Sequence, residues 1–339
     1  VMRSSVSLVR GQDPVPPHIP NAGRWQSAPA LTPAARPCMD FSMTIDVFIN
    51  VLFKPLQTAL ALLSLLRHSR ERIGRVFFIE EPPNHPGQHD ALLSLLSARL
   101  GDRLVHHRPV HYINWHTPVD PARLPDEDYR LSIRYQYGWE KTDKDWALIV
   151  HNDIHVTGDV VGLLLGSIGE RVAAGQVGMC WHCPAHHHGL CAPERYLDYR
   201  PDLKEFLAIA ADPRGKMLTD VVNYMVCPEL RRRPWPLPAC RVNEWCALVN
   251  MAVARPMTMP LGDVRPFGAY VFDGVLKEPA AGEDYKEFVT HLGVVHDIGV
   301  AWFRDMHHRG RTCAHVDISG VLEHWWGVRS RYDKELYLK

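Results

Sequence analysis

The stretch "WALIVHNDIHVTGDVV", Trp146 to Val161, sets four apolar residues, Ala147 to Val150, directly before His151, Asn152 and Asp153. So short and unbroken an apolar run reads as a strand covered on both faces, as in a parallel sheet. The polar triplet then falls at the strand's C-terminal edge. In open α/β sheets that edge borders the ligand crevice, because the loops leaving the strand ends ring it. Asp153 therefore has two readings from these residues alone: a cap on the following turn or helix, or a carboxylate presented to a ligand.

Upstream, "TIDVFINVLF" (Thr44 to Phe53) is dense in β-branched and aromatic residues and reads as a first strand. Pro55 suits the first position of the helix that follows, where Leu56, Leu60, Leu63 and Leu66 recur at helical spacing. "RVFFIEEPP" is a second strand ending at Glu80 and Glu81, "HDALLSLLSARLG" a second helix and "RLVHHRPV" a third strand. "LSIRYQYGWEKT", which carries Arg134, reads as one more helix before the opening strand. Such alternation predicts a parallel sheet with right-handed crossovers. Downstream the pattern loosens: "PDLKEFLAIA" and "HDIGVAWFRDMHHRG" are helical, "RTCAHVDI" is a strand, and "RRRPWPLPACRVNEWCALVN" mixes proline, cysteine and charge.

The 339 residues suffice for a full core. Lys plus Arg and Asp plus Glu each number 38, so no overall field draws in nucleic acid, and an anionic ligand must be held by local groups. No apolar run approaches the ~20 residues of a transmembrane helix, and no secretory signal opens the chain, so a cytoplasmic location is expected. Residues 1–42, rich in Pro, Ser, Ala and Arg, read as a disordered leader, with Met39 or Met43 opening the folded part. Residues 43–175 then read as a nucleotide-binding-type α/β unit, with 176–339 completing the same domain.

Three stretches together resemble the GT-A glycosyltransferases, in particular the inverting family 2 enzymes. "DVFINVLFKPLQTALALLSLLRHS" is similar to the family's opening strand and helix, "HNDIHVTGDVVGLLL" to its "NNDxxVTPGxL" form of the DxD metal motif, and "GEDYKEF" or "HDIGVAWFRDMHHRG" to its late "ED" helix. The resemblance spans about Thr44 to Ser330. It implies a Rossmann-like mixed sheet flanked by helices and a hexosyltransferase, of the kind used in polysaccharide biosynthesis. Such an enzyme moves a sugar from a nucleotide-diphosphate donor to a glycan or other hydroxyl acceptor, with inversion.

The chemistry agrees. A diphosphate leaving group develops charge that a divalent cation on a carboxylate neutralises. On the resemblance, Asp153 holds that ion, Mn or Mg, and His324, beside Trp325 and Trp326, completes its site. Where the family often has an acidic residue ahead of the ligand, this chain has His151 and Asn152, which suits a softer ion such as Mn. Phe53, Lys54, Glu80, Arg134 and Asn152 are the expected nucleotide-side residues. Inversion needs a general base. Asp297 matches the family's order of base, helix, Gly, strand and His, whereas Glu283 and Asp284 match its letters.

"CWHCPAHHHGLC" remains. Cys180 and Cys183 have zinc-ligand spacing, but no second pair follows at a fixed interval, so structural zinc and ordinary buried thiols both stand. Two other functions are weighed. A sugar nucleotidyltransferase would carry a Gly-rich loop after the first strand, and "NVLFKPLQT" has no Gly. A zinc-stabilised interaction module would leave the polar strand ends without a role.

Overall fold

The computed structural model describes residues 43–180, 183–210, 240–274 and 293–325. The expected leader and both Glu283 and Asp284 lie outside them. Strands β1 (Ile45–Val51), β2 (Ile73–Glu80), β3 (Leu104–His107) and β4 (Trp146–Val150), with helices α1 (Pro55–Ser69) and α2 (Asp90–Leu100), follow the sequence reading closely. β5 (Ile154–Val156), α5 (Val160–Ile168), β6 (Ala173–Val177), α6 (Pro184–His187) and α7 (Leu203–Ala210) come next, then β7 (Val242–Asn250), α8 (Met251–Ala254), β8 (Val271–Gly274), β9 (Gly293–His296), α9 (Val300–His308) and β10 (Cys313–His315).

One seven-stranded sheet runs in the order β10-β6-β7-β4-β1-β2-β3. β1 pairs in parallel with β2 and β4, β2 with β3, and β10 with β6, while β7 is antiparallel to both β4 and β6. The fold is thus mixed α/β, with a mostly parallel central sheet flanked by helices. The mixed sheet that the resemblance implies is present: β7 slots between β4 and β6 against the common direction. Consequently the start of β7 lies at the same edge as the ends of β1, β2, β4 and β6.

Pleating divides the core in two. Val47, Ile49 and Val51 of β1 pack with Leu62, Leu65 and Leu96 on the α1 and α2 face. Phe48 packs on the other, with Trp139, Phe267 and Trp302. Asp46 is fully buried on that alternation; its Oδ2 accepts from Arg75 Nη2 at 2.8 Å and Thr142 Oγ1 at 2.7 Å, and its Oδ1 accepts from Arg75 N–H at 2.7 Å. Burial is tolerated because both oxygens are paired. No helix among the described residues is long and apolar enough to cross a membrane.

"LSIRYQYGWEKT" is not one helix. Apart from Leu131, which ends the preceding α3 (Glu127–Leu131), only Gln136–Lys141 within it is helical, as α4; Tyr135 stands between the two, left-handed at φ 64°. The cause is tertiary: Tyr135 N–H donates to Asn50 Oδ1 at 2.8 Å, and Arg134 forms a backbone bridge with Gly268. A Cβ at Gly268 would run into the Arg134 carbonyl, so only glycine permits this approach. Arg134 therefore leaves from a break between helices and not from a helix surface.

Candidate functional site

Asp153 follows β4 by three residues and is 6% exposed. It caps no helix. The cap of α5 is Asp159, whose carboxylate accepts from Gly162 N–H at 3.0 Å. Asp153 Oδ2 instead receives Lys54 Nζ at 2.9 Å. Its Oδ1 lies 3.2 Å from His324 Nε2 and 3.7 Å from His151 Nδ1. Burial alone would raise this carboxyl; the His151 and His324 imidazoles and the Lys54 ammonium outweigh it and hold it well below the usual carboxylate range.

His324 arrives from far along the chain. β11 (Leu322–His324) pairs antiparallel with β5, setting His324 opposite Ile154, and Trp325 N–H donates to the Asp153 carbonyl at 2.9 Å. The imidazole stacks on Trp245, with ring centroids 4.9 Å apart. Ligand atoms of His151, Asp153 and His324 all lie within 4.8 Å of one another. Two imidazoles and a carboxylate fit a divalent transition ion such as Mn better than Mg, which prefers oxygen ligands. The ion would share Oδ1 with the histidines while Lys54 keeps Oδ2.

Lys54 sits at the N-terminus of α1, left-handed at φ 57°, as Phe53 is at φ 54°. Neither residue favours that conformation, and their neighbours hold it. Phe53 N–H donates to Asn84 Oδ1 at 2.5 Å, and the Asn152 amide reaches the Leu52 and Phe53 carbonyls at 3.3 Å and Thr58 Oγ1 at 3.2 Å. Asn152 thus ties the loop after β1 to the end of β4. Pro55 at the first helical position leaves the positive end of the α1 dipole beside the Lys54 ammonium.

Glu80 is 4% exposed and clamped between His89 Nδ1 at 3.1 Å and His106 Nε2 at 2.9 Å. Glu81, the next residue, pairs with Arg134 Nε at 2.6 Å and accepts from Asn50 at 3.2 Å. Arg134 also donates to the Tyr270 hydroxyl at 3.2 Å. Burial would lower Arg134, but the Glu81 carboxylate holds its guanidinium charged.

Asp297 precedes α9 (Val300–His308) without capping it, since the cap position is Gly299. Its side chain is 49% exposed, and Oδ2 accepts from Arg241 Nη2 at 2.8 Å. Arg241 also grips Glu244, at 3.0 and 3.2 Å. Burial would raise the Glu244 carboxyl; Arg241 and His151 outweigh it and lower it. Glu244 Oε1 is 3.7 Å from His151 Nε2. A polar chain therefore runs Asp153, His151, Glu244, Arg241, Asp297.

Of this polar chain the sequence singles out Asp153 and Asp297 and sets His151 at the strand edge, but not the Arg241–Glu244 pair. Its signal was present in "RVNEWCALVN", where charges stand at the head of an apolar run. Cys180 and Cys183 also lie near this edge, in the segment after β6.

No family model and no curated protein matches the chain. The solved structures it resembles include glycosyltransferases. Mouse xyloside xylosyltransferase 1, apo form, is 12% identical with a TM-score of 0.39, over 86% of this chain and 92% of that one. The mannosyltransferase Ktr4p from S. cerevisiae in complex with GDP is 11% identical, TM-score 0.32, over 66% and 63%. A mannosyltransferase from Pyrobaculum calidifontis in complex with GDP-Man and Mn2+ is 9% identical, TM-score 0.29, over 44% and 39%. The chain spans less than two-thirds of both mannosyltransferases.

Proposed function

We propose that the protein transfers a sugar from a nucleotide-diphosphate donor to a hydroxyl of a glycan or other acceptor, with inversion and with a divalent cation. The observation that carries this reading is the geometry around Asp153 at the β4 edge, with His151 and His324 beside one carboxylate oxygen and Lys54 on the other. A cation held by His151, Asp153 and His324 would neutralise charge on the departing diphosphate. Lys54 and the α1 N-terminus supply a second anion-binding element at the same edge.

Asp297 is the favoured base, since it is half-exposed and oriented by Arg241, and a base must reach the acceptor hydroxyl as it attacks. Glu283 and Asp284 are the alternatives. Arg134, braced by Glu81, serves the nucleotide side by holding the β1 and β2 ends together.

A panel of nucleotide sugars, assayed for nucleoside-diphosphate release with and without Mn or Mg, tests the proposal. Metal-dependent release with at least one donor, lost in Asp153→Asn, is expected. No release across the panel by folded protein would count against it.

A further inference from the structure

The stretch "LRHSRERIGR", Leu66 to Arg75, holds four arginines and a histidine against one glutamate. Lys plus Arg and Asp plus Glu balance at 38 each over the whole chain, so this concentration is local. Arg67 and His68 lie in the last turn of α1, and Arg70 and Arg72 on the single 3-10 turn that follows, Arg70–Arg72. Arg99 lies in the last turn of α2. The fold brings these ends together: Arg67, Arg70, Arg72 and Arg99 line one open cleft of about 560 Å³. Glu71 is the single acid among its described lining residues, and Leu66 and Leu100 give it apolar wall. The 15 residues of α1 separate it from Lys54, a span of about 22 Å at ~1.5 Å per residue.

Helix dipoles explain part of this charge, because the last turn of a helix favours a cation. They do not explain its amount. Arg72 has Asp159 at 3.8 Å, whereas Arg67, Arg70 and Arg99 are exposed and make no side-chain hydrogen bond or ion pair among the described residues. Like charges gathered at one cleft repel each other, and an anion seated among them replaces that repulsion with attraction. Planar guanidinium groups match phosphate oxygens two at a time. The volume also falls within the ~300–1,000 Å³ usual for small-ligand sites.

We propose that this cleft is an anion-binding site for a ligand bearing two or more phosphate groups, separate from the edge that holds Asp153. It does not rest on the sugar-transfer reading. Leu66 and Leu100 suit the carbon frame that carries the phosphates. Such groups occur on soluble compounds and on lipid headgroups, and the guanidinium chemistry is the same for both.

The test uses the full chain without divalent cations and with Lys54→Met as background, which removes the ammonium at the other end of α1. Inorganic tripolyphosphate, followed by calorimetry, probes the soluble source. Cosedimentation with phosphatidylcholine vesicles, with and without phosphatidylinositol bisphosphate, probes the lipid. Binding to at least one probe is expected, weakened about tenfold or more when Arg67→Ser and Arg99→Ser are combined. Arg311→Ser, an exposed arginine next to β10 at the far end of the sheet, should leave it unchanged. Arg70→Ser, beyond both helices, should weaken binding in the same direction and serves if the paired substitutions disturb the fold. Uptake of tripolyphosphate alone assigns a soluble ligand, and uptake of the bisphosphate vesicles a headgroup. Binding to neither probe, or an equal loss in Arg311→Ser, would overturn the proposal. So would arginine variants that bind both probes normally and lose only stability, since the arginines would then be counter-charges for the helix ends.

Discussion

Lys54 Nζ and Asp153 Oδ2 meet at 2.9 Å, joining the loop after β1 to the end of β4. The ammonium leaves Oδ1 to the two histidines, so a cation held there would sit on the other side of the carboxylate from Lys54. Asp153→Asn should lower metal-dependent turnover by about 100-fold or more, because a cation on a phosphoryl oxygen contributes several kcal/mol. Circular dichroism should show the fold retained. Full turnover in that variant would remove Asp153 from the site.

Lys54→Met should act on the donor. A charge-assisted hydrogen bond contributes roughly 1.5–3 kcal/mol, so donor KM should rise by about 10- to 100-fold with a smaller change in kcat. A variant that changes kcat alone would show that Lys54 does not hold the diphosphate.

For the base, Asp297→Asn should reduce kcat by about 10²–10⁴-fold with donor binding little changed. Glu283→Gln and Asp284→Asn should be milder. Collapse of turnover in either of those, with Asp297→Asn near normal, would reassign the base.

Arg241→Met leaves Glu244 buried without its main partner, and breaking such a pair costs about 3–5 kcal/mol. Adding Glu244→Gln to it should recover most of the loss in a denaturant titration. If the double variant is as unstable as the single, Arg241 acts through packing and not through charge.

His296 is 1% exposed, and burial, then the charge of Arg304, lowers its pKa despite Asp273. A histidine held neutral by the fold binds its proton more readily once unfolded, so stability rises with pH. Its contribution is present above the unfolded value near 6.5 and is lost as pH falls below it. Unmutated protein should lose up to ~1.4 kcal/mol per pH unit through this group in that window. His296→Gln should flatten that slope; an unchanged slope would show that other histidines carry it.

Apolar runs made β1, β2, β4, α1 and α2 legible, because burial on both faces leaves a signal in a single segment. The break at Arg134 did not show, since Tyr135 adopts its left-handed conformation through Asn50, a partner 85 residues away. β7 did not show because Arg241, just before it, and Asn243 and Glu244 at its start interrupt the apolar run. The sequence puts Glu80 on the nucleotide side; in the structure His89 and His106 take both its oxygens, and Glu81 is the residue tied to Arg134. Those pairings join separate segments, and no local pattern records them.

β7 sits between β4 and β6, yet it is made after both. As the chain leaves the ribosome, β4 has β1 on one side and an open backbone edge on the other until residues 242–250 emerge. If β6 closed that gap first, it would lie parallel against β4 and leave β7 without a place. The stretch from 178 to 241 must therefore be made before the sheet can close, and until then the β4 edge lacks the strand that covers it.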